Sequence, residues 1–203
     1  MKLSKVTMIL RGYSYEQVRS VAEVLLDSRY VRNMEITLNT EDAYEIIRKI
    51  AAEFQGKLNI GAGTVQTYEE LLKAVDAGAK FVLSPRTMTE EMISYCFANN
   101  VISVPGAFTA SEIADQLEKG ADIVKVFPAN EVSLSYAKKL CEPMGNLPLM
   151  AVGGINRKNV KEAFEMGYEY VGTAGGLFRK EDILDLDKEK LKASLKQFEA
   201  MLD

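Results

Sequence analysis

The chain has 203 residues, enough for one domain with a large core, and its 47% hydrophobic and 27% charged residues are typical of soluble globular proteins. A net charge of -4, the lack of a basic stripe or membrane-length apolar run, and no signal-peptide core at residues 1–5 predict a cytoplasmic protein with no nucleic-acid or membrane partner. The chain has no histidine and its 2 cysteines lack metal-ligand spacing, which excludes histidine-based triads and histidine-ligated zinc sites.

Apolar, β-branched runs alternate with amphipathic stretches along the whole chain. The predicted strands cover residues 6–10, 33–38, 58–61, 79–84, 101–104, 122–129, 148–152 and 168–172. The predicted helices cover residues 15–27, 41–54, 67–77, 89–99, 109–119, 133–141 and 156–166, and a terminal helix begins at 182. Thr67 and Asn156 are placed to cap two of these helices.

This repeat of a strand and a helix, with a spacing of about two dozen residues, favours parallel crossover units. Eight such units close an α/β barrel, the (β/α)8 TIM barrel, and no linker divides residues 1–203 into more than a single domain. An open doubly wound sheet would place a glycine-rich fingerprint after the first strand, where the chain has only Arg11-Gly12. In a barrel, we expect function at the C-terminal ends of the strands.

The sixth predicted strand carries a lysine among apolar residues. Strand alternation puts Lys125 on the same face as Ile123 and Phe127. Burial disfavours an ammonium ion and lowers the pKa of lysine, which makes the neutral amine available to attack a carbonyl carbon. The alternative is a structural lysine that pairs with a carboxylate or reaches solvent from a strand end.

A carboxylate in the second predicted strand points to the same interior. Glu35 and Thr37 share a face opposite Met34 and Ile36, so we expect Glu35 to face into the barrel. A carboxylate and a lysine aimed into one barrel fit a catalytic pair as well as they fit a buried ion pair.

Glycine pairs follow the last two predicted strands, where barrels commonly bind phosphate through backbone N–H groups. These are Gly153-Gly154 and Gly175-Gly176, although glycine after a strand is also an ordinary turn residue. Thr64 ends the turn at residues 61–64, and its hydroxyl suits either a substrate contact or a turn or helix cap.

Six motifs follow one another along the chain. They are Glu35-Ile36-Thr37-Leu38-Asn39-Thr40, Gly61-Ala62-Gly63-Thr64-Val65, Ser84-Pro85, Pro105-Gly106 with Thr109-Ala110-Ser111-Glu112, Lys125-Val126-Phe127-Pro128-Ala129 and Gly153-Gly154-Ile155. In this order they resemble the class I aldolases that act on 2-keto-3-deoxy-6-phosphogluconate (KDPG), its galactonate epimer and 4-hydroxy-2-oxoglutarate (KHG). The resemblance implies a (β/α)8 barrel, usually trimeric, that uses a Schiff-base lysine and no metal or other cofactor.

The resemblance also implies roles for individual residues. Lys125 matches the Schiff-base lysine, Glu35 the proton-shuttling glutamate and Thr64 a contact to the pyruvate carboxylate. Pocket-lining positions match Pro85, Pro105, Thr109 and Phe127, and the phosphate-binding turns match Gly153, Gly154, Gly175 and Gly176.

Three positions depart from the gluconate enzymes. Asn39 stands where those enzymes commonly carry an arginine, whereas galactonate-type members share the sequence around Arg11 and Asn39. We therefore infer that Arg11 supplies the missing positive charge to the substrate. Gly175 replaces a serine in the phosphate turn, and Arg86 replaces a small residue.

The predicted activity is that of a carbon-carbon lyase of carbohydrate metabolism. It cleaves a 2-keto-3-deoxy-6-phospho sugar acid, of the gluconate or galactonate type, to pyruvate and glyceraldehyde 3-phosphate, and we expect a homotrimer. The alternatives are a 4-hydroxy-2-oxoglutarate aldolase and a non-catalytic phosphosugar-binding barrel. Retention of both Lys125 and Glu35 speaks against the non-catalytic alternative.

Overall fold

The structure is a computed structural model that describes residues 2–203, so Met1, the first residue of the predicted domain, lies outside it. The strands are β1 Val6–Leu10, β2 Val31–Thr37, β3 Asn59–Gly63, β4 Phe81–Leu83, β5 Ile102–Val104, β6 Gly106–Ala107, β7 Val124–Val126, β8 Leu149–Val152 and β9 Tyr170–Thr173. The helices are α1 Tyr15–Leu25, α2 Ala43–Glu53, α3 Tyr68–Asp76, α4 Glu90–Ala98, α5 Ala110–Glu118, α6 Tyr136–Met144, α7 Val160–Glu165, α8 Lys180–Leu184 and α9 Lys188–Glu199.

The strands form one parallel sheet in the order β5-β4-β3-β2-β1-β9-β8-β7-β6. Its two ends, β5 and β6, are consecutive in the chain and are separated by Pro105 alone. The sheet therefore curls into a barrel with helices between the strands, which confirms the predicted fold class.

The predicted fifth strand, residues 101–104, is confirmed as β5, but the short strand β6 after Pro105 was not predicted. Pro105 has no N–H group, so it cannot continue a ladder of hydrogen bonds, and β5 and β6 are separate strands. Strand β5 pairs with β4, and β6 pairs with β7. The Pro105 carbonyl still accepts a 2.9 Å hydrogen bond from the Lys125 backbone N–H, which ties the break to β7.

Alternation along the strands divides the apolar side chains into two layers. One layer, which includes Met8, Met34 and Ile36, packs between the sheet and the helices. The other fills the barrel and consists of Leu3, Ile9, Phe81, Leu83, Val104, Ile123, Met150 and Val152. Full burial of one such side chain contributes about 1.5–3 kcal/mol to folding, so both layers stabilise the barrel.

A polar network closes the N-terminal end of the barrel. The Asn33 side-chain amide donates hydrogen bonds to the Ser4 carbonyl at 2.8 Å and to Thr7 Oγ1 at 3.2 Å. Asn59 Nδ2 donates to Asn33 Oδ1 at 2.9 Å. Thr7 and Asn33 are fully buried, so this network fills the N-terminal end of the barrel, and the open face lies at the C-terminal ends of the strands.

The helix caps agree with the sequence in one case and differ in another. Thr67 caps α3, as predicted, because its hydroxyl accepts a hydrogen bond from the Glu70 N–H. Asn156 does not cap α7, because that helix begins only at Val160 and the Asn156 side chain instead bonds within its own loop. The predicted single terminal helix is also wrong, since Leu186 adopts φ 55° and separates α8 from α9.

None of the helices in residues 2–203 combines the length and the apolar character needed to cross a bilayer.

Candidate active site

Strand β7 places Lys125 inside the barrel, with the flanking strands β6 and β8 in register at Gly106 and Met150. The side chain is buried, with 5% of its surface exposed. Burial lowers the pKa of the Lys125 amine, and the Arg11 guanidinium lowers it further, while Glu35 acts in the opposite direction. The nitrogen is therefore easier to deprotonate than that of an exposed lysine.

Strand β2 directs Glu35 into the same interior, between Ile9 on β1 and Gly61 on β3. Its side chain is 2% exposed, and within residues 2–203 its Oε2 atom has no hydrogen-bond partner. Burial raises the pKa of the Glu35 carboxyl, and the positive charges of Lys125 and Arg11 only partly oppose this. An unpaired buried polar atom costs about 1–3 kcal/mol, a cost typical of functional sites.

Glu35 and Lys125 face each other without forming a contact ion pair. In the part of the chain that the structure describes, no carboxylate oxygen of Glu35 lies within 4.0 Å of the Lys125 nitrogen. The charge of each group nevertheless shifts the pKa of the other. The shifts oppose each other, because the Glu35 carboxyl becomes a weaker acid and the Lys125 amine a weaker base, and this combination suits proton exchange in a catalytic site.

Gly63 on β3 makes room for the Glu35 side chain. A Cβ on Gly63 would overlap the Glu35 Oε1 and Cδ atoms. A Cβ on Gly61, two residues earlier on the same face, would come within 2.5 Å of the Phe81 ring. The Glu35 carboxylate therefore packs directly on the backbone of β3, and Gly63 is the residue of this strand that its position requires.

Thr64 follows Gly63 in a left-handed conformation, with φ 61°. This region is disfavoured for a β-branched residue, and strain of this kind is common in functional sites. Backbone hydrogen bonds hold the segment on both sides: Leu38 N–H donates to the Gly63 carbonyl at 2.8 Å, and Val65 N–H donates to the Leu83 carbonyl at 3.1 Å. Thr64 caps no helix, since Thr67 is the cap of α3, so the alternative that its hydroxyl serves as a helix cap is wrong.

A cavity of about 520 Å³ opens where β1, β8 and β9 end. It contains Arg11 and both glycine pairs predicted to bind phosphate. The Arg11 side chain is exposed and, within the described residues, forms no ion pair. The residues that line the cavity are Ile9, Arg11, Val152, Gly153, Gly154, Ile155, Asn156, Gly172, Thr173, Ala174, Gly175 and Gly176.

The two glycine turns differ in what surrounds them. Gly153 and Gly154 have φ 115° and 71°, and side chains there would press against Asn130. A Cβ on Gly176 would overlap the Ile155 carbonyl, whereas one on Gly175 would meet nothing within 4 Å. Gly175 is therefore the position in these turns with space for a side chain.

Hydrogen bonds that were not anticipated from the sequence hold these turns in place. Asn159 Nδ2 donates to the Gly154 carbonyl at 3.0 Å, and Asn159 Oδ1 accepts from the Asn156 N–H at 2.8 Å. Thr173 Oγ1 donates to the Ile155 carbonyl at 2.7 Å from the end of β9. Asparagines next to a glycine turn are the signal that identifies such a loop, since their side chains often bond to nearby backbone.

The other predicted pocket residues occupy different parts of the mouth. Pro85 and Pro105 lie at the break in the barrel, where Gly106 approaches Pro85 so closely that a Cβ would come within 2.7 Å of its carbonyl carbon. Phe127 directly follows β7, and the Lys125 nitrogen lies over its ring. Thr109 is exposed and its hydroxyl caps α5, so it lies at the rim and not beside Lys125 and Glu35.

A larger cavity of about 640 Å³ lies between the loops that follow β1 and β2. It contains none of Lys125, Glu35, Arg11 and the two glycine pairs, so we place the candidate chemistry at the barrel mouth and not in the larger space. Among the described residues, no group of three or more histidine, cysteine, aspartate or glutamate side chains is arranged to hold a metal ion.

Three comparisons relate this arrangement to known proteins. Residues 1–193 match the family described as "Aldolase: KDPG and KHG aldolase". A 2-dehydro-3-deoxy-phosphogluconate aldolase of Treponema pallidum is 36% identical over 65% of this chain, although the chain spans only 62% of that relative. The 2-dehydro-3-deoxy-6-phosphogalactonate aldolase of Escherichia coli is 26% identical over 94% of this chain and 92% of its own.

A solved structure of KDPG aldolase from Legionella pneumophila, with pyruvate captured at low pH as a covalent carbinolamine intermediate, has the same fold. It superposes with a TM-score of 0.84 and 26% identity, covering 98% of this chain and 94% of the other.

Proposed function

The chain belongs to the KDPG and KHG aldolase family, and on that basis we propose that it cleaves a 2-keto-3-deoxy-6-phospho sugar acid to pyruvate and glyceraldehyde 3-phosphate. The observation that carries the proposal is the buried amine of Lys125 facing the buried carboxyl of Glu35 inside the barrel. A lysine with a lowered pKa is a nucleophile, and a carboxyl with a raised pKa is a proton carrier.

In the first step, the neutral amine of Lys125 attacks the C2 ketone and forms a carbinolamine. Glu35, as the acid, protonates the departing hydroxyl, and loss of water leaves a protonated iminium between C2 and the lysine nitrogen. The iminium accepts electrons from the adjacent carbon chain. Burial favours this step because the lysine releases its proton easily and the glutamic acid retains its own.

In the second step, Glu35, now a carboxylate, removes the proton of the C4 hydroxyl. The C3–C4 bond breaks, its electron pair moves into the iminium to give an enamine, and the aldehyde leaves. Protonation of the enamine at C3 restores the iminium. Water then adds at C2, and pyruvate is released as Lys125 becomes a free amine again.

The two ends of the substrate require different contacts. We assign the carboxylate end to Thr64 and Arg11, which lie at the ends of β3 and β1. We assign the phosphate end to the two glycine turns, because their backbone N–H groups can approach an anion closely. Pro85, Pro105 and Phe127 complete the wall around the reacting carbons, and Thr109 contributes from the rim.

Reductive trapping tests the proposal directly. Incubation with pyruvate and cyanoborohydride, followed by peptide mass spectrometry, is expected to place one reduced pyruvate adduct on Lys125. The Lys125→Met variant is expected to show no adduct and no turnover, and exposed Lys80 provides the matched control, since Lys80→Met should be trapped like the wild type. An unmodified Lys125 in an active enzyme would refute the mechanism.

The second candidate substrate is 4-hydroxy-2-oxoglutarate, which has no phosphate. Gly175 supports it, because this position has open space where a serine hydroxyl would otherwise reach the phosphate. Both substrates share the pyruvate half, so trapping does not separate them. Steady-state kinetics with the gluconate, galactonate and oxoglutarate compounds, side by side, identifies the substrate with the highest kcat/KM.

The remaining expectations concern the state of the protein in the cell. We propose a homotrimer, in keeping with the family resemblance, and the outward Phe97 side chain, 84% exposed, is a candidate for burial between subunits. We propose a cytoplasmic location, where free thiols such as Cys96 and Cys141 remain reduced. Light scattering on the purified protein tests the first, and fractionation of the source cells tests the second.

A further inference from the structure

The Lys125 nitrogen lies over the aromatic face of Phe127, 4.6 Å from the centre of the ring. Phe127 directly follows the last residue of β7, two positions after Lys125, and its backbone N–H donates a 3.1 Å hydrogen bond to the Ala107 carbonyl, which holds it beside the strand. The interior apolar layer packs against the Phe127 ring, which is half-buried. The face of an aromatic ring carries partial negative charge and attracts a cation within about 6 Å.

Few other groups are available to stabilise a positive charge at this nitrogen. The charged groups that face it are Glu35 from β2 and Arg11 from β1. No Glu35 oxygen lies within 4.0 Å, and Arg11 repels a second cation. Within residues 2–203, Nζ donates no hydrogen bond and forms no ion pair, and the face of the Phe127 ring lies within the range of a cation–π contact.

We propose that the ring of Phe127 acts directly on the reacting nitrogen, stabilising its positive charge both in the resting ammonium ion and in the iminium that forms from it. Addition of the amine and a proton to a ketone, with loss of water, returns the same positive charge to the same nitrogen. The ring can stabilise both species from one position. Unlike a carboxylate in contact, it accepts no proton, which leaves Glu35 free to transfer protons.

The two halves of this inference depend on different assumptions. Stabilisation of the iminium rests on the proposed aldolase reaction, whereas stabilisation of the ammonium ion does not. Titration of Lys125 without substrate therefore tests the ring even if the protein forms no Schiff base. Trace labelling with acetic anhydride across a range of pH, with Lys125 quantified by peptide mass spectrometry, gives the midpoint of this titration.

Removal of a ring that favours the cation should lower the midpoint. Phe127→Leu is expected to lower it by about one pH unit, the size of a desolvated cation–π contact. Replacement of Phe127 by a trifluorinated phenylalanine keeps the shape and weakens the partial negative charge, so it should lower the midpoint by a smaller amount even if the leucine variant folds poorly. Phe127→Tyr keeps an aromatic face and should restore the midpoint of the wild type.

The chain offers a matched control in Phe164, whose ring lies 5.5 Å from the Lys5 nitrogen on the outside of the barrel. Phe164→Leu loses a similar contact and should leave the Lys125 midpoint unchanged. With pyruvate at a pH above the midpoint, where the resting amine is neutral, half-maximal trapping in Phe127→Leu should require about tenfold more pyruvate, whereas below the midpoint the ammonium ion and the iminium lose the same stabilisation and the requirement should stay unchanged. An unchanged or raised midpoint in both Phe127→Leu and the fluorinated protein would overturn the inference, whereas a wild type that titrates as expected but traps no pyruvate would refute the proposed function alone.

Discussion

The carboxylate of Glu35 occupies the space in which a side chain on Gly63 would stand. A Cβ at that position would overlap Glu35 Oε1, and the backbone of β3 therefore forms one wall of the site. The contact joins two strands that are neighbours in the barrel but whose residues are separated by a complete helix in the chain. The position of the Glu35 carboxyl thus depends on the absence of a Cβ atom at Gly63 on the next strand.

Gly63→Ala should displace the Glu35 carboxyl and lower kcat by at least a hundredfold, because proton transfer requires correct placement of the group. Measurement of kcat with far-ultraviolet circular dichroism separates this loss from unfolding. The control is Ala62→Gly on the outward face of the same strand, which weakens packing without touching Glu35. Equal losses of kcat in folded samples of both variants would contradict the assignment.

Glu35→Gln should change how stability depends on pH. The folded state raises the pKa of Glu35, so between its ordinary value and the raised value the unfolded chain binds fewer protons than the folded one. Stability conferred by the protonated carboxyl is therefore lost as pH rises through this window. Urea unfolding at several pH values should show that the advantage of Glu35→Gln over the wild type grows from about pH 4 upward.

The opposite trend, in which the free energy of unfolding of Glu35→Gln falls relative to that of the wild type as the pH rises, would mean that the protein stabilises the Glu35 carboxylate. The same variant should also show a large loss of kcat, since an amide carries no titratable proton.

Thr64→Gly should stabilise the protein and impair substrate binding at the same time. Glycine adopts the left-handed conformation without strain, so we expect a gain of about 1 kcal/mol in the free energy of unfolding. Loss of the hydroxyl should raise KM several-fold if it contacts the substrate carboxylate. Thr64→Asn, which tolerates this backbone conformation and keeps a polar side chain, serves as the comparison. A destabilised glycine variant would show that the strain is not stored at this residue.

Thr173→Val should weaken the phosphate end of the site alone. The substitution preserves the shape of the side chain and removes its hydrogen bond to the Ile155 carbonyl, which helps to hold the first glycine turn. KM for a phosphorylated substrate should rise about tenfold, since one hydrogen bond contributes about 1 kcal/mol and the turn also loosens. Trapping with pyruvate, which has no phosphate, should remain unchanged, and equal weakening in both assays would contradict a local role.

Periodicity alone was sufficient to predict the relationships that lie within one strand. The two-residue alternation placed Lys125 beside Phe127 and turned Glu35 inward, and the structure confirms both directions. The barrel followed from the repeat of strands and helices, because eight parallel units of this length have few other ways to bury their apolar faces. The motifs then related these residues to one family.

Relationships between distant segments were not accessible in the same way. The need for glycine at position 63 depends on Glu35 of another strand, and the hydrogen bond of Thr173 depends on the loop after β8. Strand β6 was missed because it has only two residues, too few for a period. Asn156 was assigned to a helix because a cap and a loop contact use the same side-chain atoms, and only the position of the chain distinguishes them.

The network of Asn33, Thr7 and Asn59 fills the N-terminal end of the barrel and leaves the C-terminal end as the route to solvent. In the proposed reaction, the aldehyde and the pyruvate must leave by the route through which the sugar acid entered. Pyruvate remains tethered to Lys125 after the aldehyde has departed, so the order of exit is set before either product reaches solvent. Added pyruvate should accordingly compete with the substrate for the empty enzyme, whereas added aldehyde should reverse the cleavage only in molecules still carrying the enamine.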